Sequence, residues 1–229
     1  MKISVCIHCG NRAHDLKQVF PSLIIAANNS QGPVEISVLD YNSQDGLAEF
    51  ILEMQQAGEL GSCELSYRRY TGRDYYHMAH ARNLSALASH GEYVLISCAD
   101  IFMQPTYLRM VRQELEKGYT WLHHSDRYVG VICVSRQEFV EAGGYDERFE
   151  FYGREDKDLL ARLHRRGAPH VEIPDLLSLI YTPWDKKLKN YRLPLSRNQM
   201  RKHSKSIYLQ NIEEGILVAN EGKEWGQWE

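Results

Sequence analysis

Short apolar runs alternate with helix-period patterns along about the first hundred residues of the chain. Four runs have the length and composition of buried strands, and between them apolar residues recur every three or four positions. The predicted strands cover residues 3–8, 35–40, 64–68 and 93–97. A strand–helix unit repeated in this way predicts parallel strands with right-handed crossovers, and therefore an α/β fold with a sheet flanked by helices.

Turn and capping residues mark the helix boundaries in this half. The first helix carries its apolar face on residues 16–27 and stops at the polar run 28–33. Asp45 is expected to cap the second helix, which ends near Gly58. The third helix is predicted over about residues 77–89.

The second half of the chain follows a different order of elements. Pro105 can open a helix that runs to Glu116, residues 129–134 have the composition of a strand, and Ser135 with Glu138 predicts a capping box for a short helix. The remaining predicted elements are a helix carrying Leu159 and Leu163, strands near residues 170–173 and 177–181, and a polar tail.

Candidate chemistry is expected at one edge of the predicted sheet. In open parallel sheets, ligands bind outside the carboxyl ends of the strands, so the residues that follow each strand are the first candidates. Here these are residues 8–12, 40–45 and 98–101.

Four short motifs occur in order along the chain. They are D-x-x-S-x-D-G at residues 40–46, A-R-N at 81–83, C-A-D at 98–100 and E-D at 155–156. In this order they resemble the inverting family-2-type glycosyltransferases, which have the GT-A fold, a Rossmann-like mixed sheet. The run from residue 143 to residue 162 resembles the C-terminal segment of galactosyltransferases and N-acetylgalactosaminyltransferases. Together the resemblance covers roughly residues 3–182.

The resemblance implies a transferase that moves a sugar from a UDP-sugar, of the Gal, GalNAc or GlcNAc type, to a glycan or other hydroxyl acceptor with inversion. It implies that Asp156 is the catalytic base and that Glu155 supports the site or binds acceptor hydroxyls. It further implies that Asp40 and Arg82 hold the nucleotide, and that Asp100 binds a metal ion or the ribose-phosphate region.

Four of these residues have an alternative role that needs no ligand. Asp40 has the neighbours of a turn-forming Asx residue. Arg82 could brace Asp40 or Asp100. Glu155 and Asp156 could simply be first-turn acids that the helix dipole stabilises.

The metal site implied by the resemblance is incomplete in this sequence. Such enzymes hold Mn²⁺ or Mg²⁺ with two acids of a D-x-D motif, but Cys98 stands in the first position and only Asp100 remains. Relatives also often have a His where this chain has Thr182. Metal dependence is therefore in doubt, and we hypothesise that nearby basic residues close over the diphosphate instead. The candidates are Lys186, Lys187, Lys189 and Arg192.

Charge is segregated along the chain although the net charge is only −3. Residues 185–205 hold eight basic side chains against one acid, and residues 206–229 hold five Glu against one Lys. We expect one glycosyltransferase domain over residues 1–184, with a nucleotide-binding half (1–102) and an acceptor and catalytic half (103–184). A basic and then acidic extension follows (185–229).

Composition limits the other classes of function. The near-neutral charge favours no nucleic-acid partner, and the odd count of five Cys indicates reduced thiols. With no export signal and no apolar run long enough to span a membrane, the sequence predicts a cytoplasmic protein. Peripheral membrane contact through Trp225 and Trp228 stays open, as does docking on a partner or the core. The alternative function is a non-catalytic nucleotide-sugar or glycan-binding relative; a nucleotidyltransferase is disfavoured because its Gly-rich N-terminal loop is missing.

Overall fold

A seven-stranded mixed sheet forms the centre of the protein in the computed structural model, which describes residues 1–228. The strands are β1 (Ile3–Cys9), β2 (Val34–Tyr41), β3 (Glu64–Tyr70), β4 (Tyr93–Cys98), β5 (Ile101–Met103), β6 (Trp121–His123), β7 (Ile132–Ser135), β8 (His170–Glu172) and β9 (Leu177–Leu179). The sheet has the order β3-β2-β1-β4-β7-β6-β8, and β5 and β9 form a separate antiparallel pair.

Eight helices accompany these strands in residues 1–228. They are α1 (Ala13–Asn28), α2 (Leu47–Gln56), α3 (Met78–Ala88), α4 (Tyr107–Glu116), α5 (Arg136–Glu141), α6 (Glu155–Arg165), α7 (Trp184–Asn190) and α8 (Arg197–Glu213). Two hydrophobic clusters lie on opposite faces of the sheet, because successive strand residues point to opposite sides. One cluster joins the sheet to α1, α2 and α4, and the other joins it to α3, α5 and α6.

The fold class predicted from the sequence is confirmed. Strands β1 to β4 are mutually parallel where they pair, with β1 between β2 and β4. Strand β7 then runs antiparallel to β4, which makes the sheet mixed. The carboxyl ends of β1, β2 and β4 therefore meet at one edge, as the strand–helix alternation predicts.

Asp45 does not cap α2, contrary to the sequence prediction. The residue before α2 is Gly46, whose φ of 78° places it in the left-handed region, and no side chain caps this helix. The Asp45 carboxylate instead accepts a hydrogen bond of 2.7 Å from the amide of Ala13, at the start of α1. A sequence-local rule could not find this partner, since it comes from the loop after another strand.

Two other sequence predictions are incomplete. The strand predicted over residues 129–134 begins only at Ile132, because a 3-10 turn (Asp126–Tyr128) and the loop after it precede the strand. The polar tail contains two helices, α7 and α8, that the sequence pattern did not predict. Ser196 caps α8 with a full capping box to Gln199.

The C-terminal residues pack against the rest of the fold. In α8, Asn211 donates to the carboxylates of Asp146 and Asp158, with distances of 3.0 and 2.7 Å. Trp225 contacts the Phe139 ring with 6.2 Å between ring centroids. The domain boundary at residue 184 stays a prediction, but the extension up to residue 228 shares a core with the body.

None of the helices in residues 1–228 combines the length and apolar character needed to cross a bilayer.

Candidate active site

A cavity of about 260 Å³ lies at the carboxyl ends of β1 and β4. Segments distant in sequence line it, because parallel strands bring their carboxyl ends to one edge. We call it the central cavity. Its charged and titratable lining residues include His8, Arg12, Arg82, Cys98, Asp100, Asp126, Glu155, Asp156 and Lys187. The structure thus brings together four of the five predicted site residues.

Asp156 and Arg82 form a buried ion pair in this cavity. Helix α6 begins at Glu155, so both acids lie in its first turn. Arg82 comes from the buried face of α3, and its Nη1 contacts Asp156 Oδ1 while Nη2 lies 3.6 Å from Glu155 Oε1. Burial opposes its charge, but Tyr145 and Glu155 outweigh this effect and the pKa of Arg82 is raised. In this structure Arg82 therefore braces the two acids of α6 rather than Asp40 or Asp100.

Glu155 is held in place from two sides. Its Oε2 accepts a hydrogen bond of 2.9 Å from the amide of Gly153, and its other oxygen faces Arg82. Gly130 lies against the same group: a side-chain carbon at this position would come within 3.4 Å of Arg82 Nη2 and Asp156 Oδ2. The loop between the 3-10 turn and β7 thus closes tightly over the acidic pair.

Asp100, just after β4, is paired with two cations. Arg12 Nη2 lies 2.9 Å from Asp100 Oδ2, and Lys187 Nζ of α7 lies 3.8 Å from the same oxygen. Arg12 Nη2 also donates to Thr182 Oγ1 at 2.9 Å. The two positions where the resemblance implies metal ligands, Asp100 and Thr182, are therefore bridged by one guanidinium.

Arg12 is a site residue that the motif analysis missed. It is buried, and its remaining nitrogens donate to Asp15 at 2.8 Å and to Tyr191 at 3.1 Å. Although burial disfavours its charge, Tyr191 and Asp100 raise the pKa of Arg12. The available signal was its position, since it falls within residues 8–12 directly after the first strand.

The residues at the end of β4 do not fit a resident divalent ion. Asp100 is already neutralised, and Cys98 is a poor substitute for an acid because burial raises the pKa of its thiol and keeps it protonated. Its Sγ lies 3.8 Å from Nε2 of His8, whose pKa burial lowers well below the ordinary value. Within residues 1–228, no group of three His, Cys, Asp or Glu side chains could hold a metal.

Asp40 does not line the central cavity. It lies at the end of β2, where Oδ1 accepts from the amide of Ser43 and Oδ2 accepts from the hydroxyl of Tyr67, both at 2.7 Å. The bond to the Ser43 amide is the one expected if Asp40 stabilises the turn after β2. Its role in nucleotide binding stays a prediction.

The segment after α7 covers the groove between the ends of β1 and β2. The Tyr191 ring stacks on Tyr76 with 4.5 Å between centroids and 23° between planes. Asn11 donates to the carbonyl of Asn190 at 2.8 Å, and Arg192 donates to the carbonyl of Asn42 at 2.7 Å. Arg192, one of the basic residues predicted to close over the diphosphate, therefore contacts the loop after β2.

Known proteins are similar to this chain in two respects. A family model matches one segment of its sequence, and several solved structures share its fold. A family model described as the N-terminal domain of galactosyltransferase matches residues 113–182. No curated protein matches the chain by sequence. The structure of S. aureus TarS residues 1–349 superposes with a TM-score of 0.59 and 14% identity, over 76% of this chain and 58% of that one. The structure of the same TarS fragment with UDP superposes with a TM-score of 0.62 and 12% identity, over 93% of this chain and 72% of that one.

Two further transferases have similar structures. The mannosyltransferase PcManGT from Pyrobaculum calidifontis, solved with GDP-Man and Mn²⁺, gives a TM-score of 0.60 at 18% identity, over 76% of this chain and 55% of that one. The catalytic domain of Drosophila β1,4-galactosyltransferase 7, solved with xylobiose, gives a TM-score of 0.61 at 14% identity, over 91% of this chain and 79% of that one. The chain has the GT-A fold. The resemblance drawn from the motifs is confirmed at this level.

The GT-A neighbours are longer proteins. This chain spans 58% of the TarS 1–349 chain and 55% of the mannosyltransferase chain. In this GT-A chain, the central cavity lies outside the carboxyl ends of the strands, where ligands bind in open α/β sheets.

Proposed function

We propose that this protein is a glycosyltransferase that moves a sugar from a UDP-sugar to an acceptor hydroxyl with inversion. The observation that carries the proposal is the buried Asp156–Arg82 pair in a cavity at the carboxyl ends of β1 and β4. The TarS complex contains UDP, and the matched family model is that of a galactosyltransferase domain. Together they support a UDP-linked Gal, GalNAc or GlcNAc donor.

In the proposed reaction, Asp156 takes the proton of the acceptor hydroxyl. The acceptor oxygen then forms a bond to the anomeric carbon, while the bond from this carbon to the diphosphate oxygen breaks. The nucleoside diphosphate leaves with the electron pair. Attack on the face opposite the leaving group inverts the configuration. Arg82 balances and orients the Asp156 carboxylate, and Glu155 supports the same turn.

The leaving diphosphate needs its developing negative charge compensated. We assign this to Arg12 and Lys187, which already meet at Asp100. A guanidinium presents several donors in a fixed fork that suits phosphate oxygens, and an ammonium adds a compact charge. In this proposal no step needs a metal ion. Of the four basic residues predicted to close over the diphosphate, only Lys187 lines the central cavity, and Arg12 from the loop after β1 joins it.

A second candidate function is a non-catalytic protein that binds a nucleotide-sugar or a glycan. The observation that favours it is the cover formed by Tyr191, since this ring fills part of the edge where ligands bind. In a binder, that cover would need to open only for ligand exchange.

One experiment separates the two candidates. The full chain is incubated with UDP-Gal, UDP-GalNAc and UDP-GlcNAc, with and without a panel of saccharide acceptors, and released UDP is quantified. Slow hydrolysis of a donor, accelerated by an acceptor and giving a product of inverted configuration by NMR, supports the transferase. Tight UDP binding without any turnover supports the binder.

A further inference from the structure

A second cavity, of about 290 Å³, lies beside the two acids at the start of α6, Glu155 and Asp156. We call it the arginine cavity. Glu155 and Asp156 line both cavities, so the arginine cavity opens onto the proposed base. Its charged lining residues are Arg154, Glu155, Asp156, Lys157, Arg197 and Arg201.

The two acids of this cavity are compensated from outside it. Asp156 contacts Arg82, and Glu155 faces the same guanidinium while accepting the Gly153 amide. Lys157 is also paired, with its Nζ 2.9 Å from Asp126 Oδ1.

The three arginines have no such compensation. Among residues 1–228, no carboxylate forms an ion pair with Arg154, Arg197 or Arg201. Two of them lie on aromatic rings instead: the Arg154 guanidinium is 5.3 Å from the centroid of Tyr208, and that of Arg197 is 4.7 Å from the centroid of Trp184. These rings hold the guanidinium groups in place without neutralising them. The arginine cavity is therefore a concave site with uncompensated positive charge.

The backbone at the cavity is also unusual. Arg154 has a φ of 70°, in the left-handed region that non-glycine residues rarely adopt, and Gly153 before it has a φ of 110°. Such strain persists when the surrounding structure requires it, and it concentrates at ligand sites. Here the two left-handed residues form the turn that brings Arg154 and the start of α6 to the same cavity.

We propose that the arginine cavity is the acceptor subsite and that the acceptor carries an anionic group, a phosphate or a carboxylate, on its sugar. The proposal rests on the proposed function, since it names the substrate class for that site. Guanidinium forks match the geometry of both anions, and hydrogen bonds between charged groups are the strong ones. A neutral sugar would leave the three guanidinium groups of the cavity without an anionic partner.

The test uses three ligands that differ only at C6 of one ring: glucose, glucuronate and glucose 6-phosphate. Their binding to the full chain is measured by NMR titration, which requires no turnover. We expect at least one anionic sugar to bind roughly ten-fold more tightly than glucose. The carboxylate and phosphate arms distinguish the two sources of charge.

Variants then locate the binding site. The double variant Arg197→Ala/Arg201→Ala is expected to lose the preference for the anionic sugar. The matched control is Lys202→Ala/Lys205→Ala, which removes two charges from the same helix at positions that do not line the cavity. This variant is expected to keep the preference for the anionic sugar. Equal binding of all three sugars, or equal loss of the preference in both double variants, would overturn the proposal.

UDP binding to the wild-type chain is measured in parallel. A chain that binds anionic sugars at the arginine cavity but neither binds UDP nor turns over a UDP-sugar would refute the proposed function while leaving the anion site in place. A chain that transfers sugar equally well to neutral and anionic acceptors would refute the acceptor proposal alone.

Discussion

Arg12 Nη2 lies 2.9 Å from Asp100 Oδ2, at the position where two acids of a D-x-D motif would hold a metal ion. The same nitrogen donates to Thr182, the second position where relatives often have a metal ligand. A positive charge supplied by the protein thus takes the place that the resemblance implies for a cation.

We expect UDP binding to be independent of divalent metal ions. The affinity of the full chain for UDP, measured by isothermal titration calorimetry, should agree within about two-fold in EDTA and in MnCl₂, because we assign charge compensation at the diphosphate to Arg12 and Lys187 and not to a metal ion. Strict dependence of UDP binding on Mn²⁺ would contradict the metal-free assignment.

Loss of Lys187 should weaken UDP binding. Lys187→Ala removes a partly exposed ammonium near Asp100, so we expect an affinity about three- to ten-fold lower with an unchanged melting temperature. Lys186→Ala is the matched control, since Lys186 precedes Lys187 on α7 but does not line the central cavity. Equal affinities of the two variants would place the diphosphate elsewhere.

Asp156→Asn should abolish transfer while the protein stays folded. Asparagine has nearly the same shape but cannot accept the proton of the acceptor hydroxyl, and general-base catalysis contributes about 10²–10⁴-fold. Initial rates of UDP release with acceptor measure the loss. Asp185→Asn makes the same chemical change at an exposed site and should retain full activity. A variant Asp156→Asn with wild-type rates would show that another group is the base.

Asp158 is expected to be essential for stability. Its carboxylate accepts from Arg162 Nε at 2.8 Å, and both side chains are buried. Asp158→Ala leaves the buried Arg162 charge without a carboxylate partner, although its bonds to the carbonyls of Ala142 and Gly144 remain. Such a loss costs about 3–5 kcal/mol of unfolding free energy. Urea denaturation measures this loss.

Lys157→Ala is the control for that measurement. Lys157 forms an exposed pair with Asp126, and such pairs contribute only about 0–1 kcal/mol. If the two variants unfolded at the same urea concentration, the buried pair would not be the element that ties α6 to the core.

Stability should fall in acid because of Glu35, a buried residue of β2. Burial raises the pKa of its carboxyl, but hydrogen bonds from Ser4, Ser66 and His90 outweigh that effect and lower the pKa from 4.5 to about 2. Because the folded pKa is the lower one, this stabilisation is complete above about pH 4.5. It is lost as the pH falls towards 2.

The expected loss from Glu35 is about 2 kcal/mol between pH 7 and pH 3. Urea unfolding at both pH values measures it, and Glu35→Gln should remove this part of the pH dependence. Glu64→Gln changes an exposed partner of Lys2 and should leave the profile unaltered. An unchanged profile in Glu35→Gln would assign the acid sensitivity to other carboxylates.

The pattern of apolar residues determined the secondary-structure elements of the first hundred residues. Strands β1 to β4 and helices α1 to α3 follow from periodicity, because burial against a sheet imposes a repeat on residues that are adjacent in sequence. The positions of Asp100, Glu155 and Asp156 at strand and helix ends follow as well. The helices α7 and α8 could not be predicted from periodicity, since no comparable apolar repeat marks this basic segment.

Only the tertiary structure decided which charges meet. Arg12 and Asp100 lie far apart in sequence, as do Arg82 and Asp156, and side-chain type alone leaves every acid with several basic candidates. The sheet order selects the partners, because it places β1 beside β4 and brings α3 against the start of α6. The sequence therefore determined the fold and the edge of the sheet where a ligand is expected, whereas ion pairs over long sequence distances decided how that edge is charged.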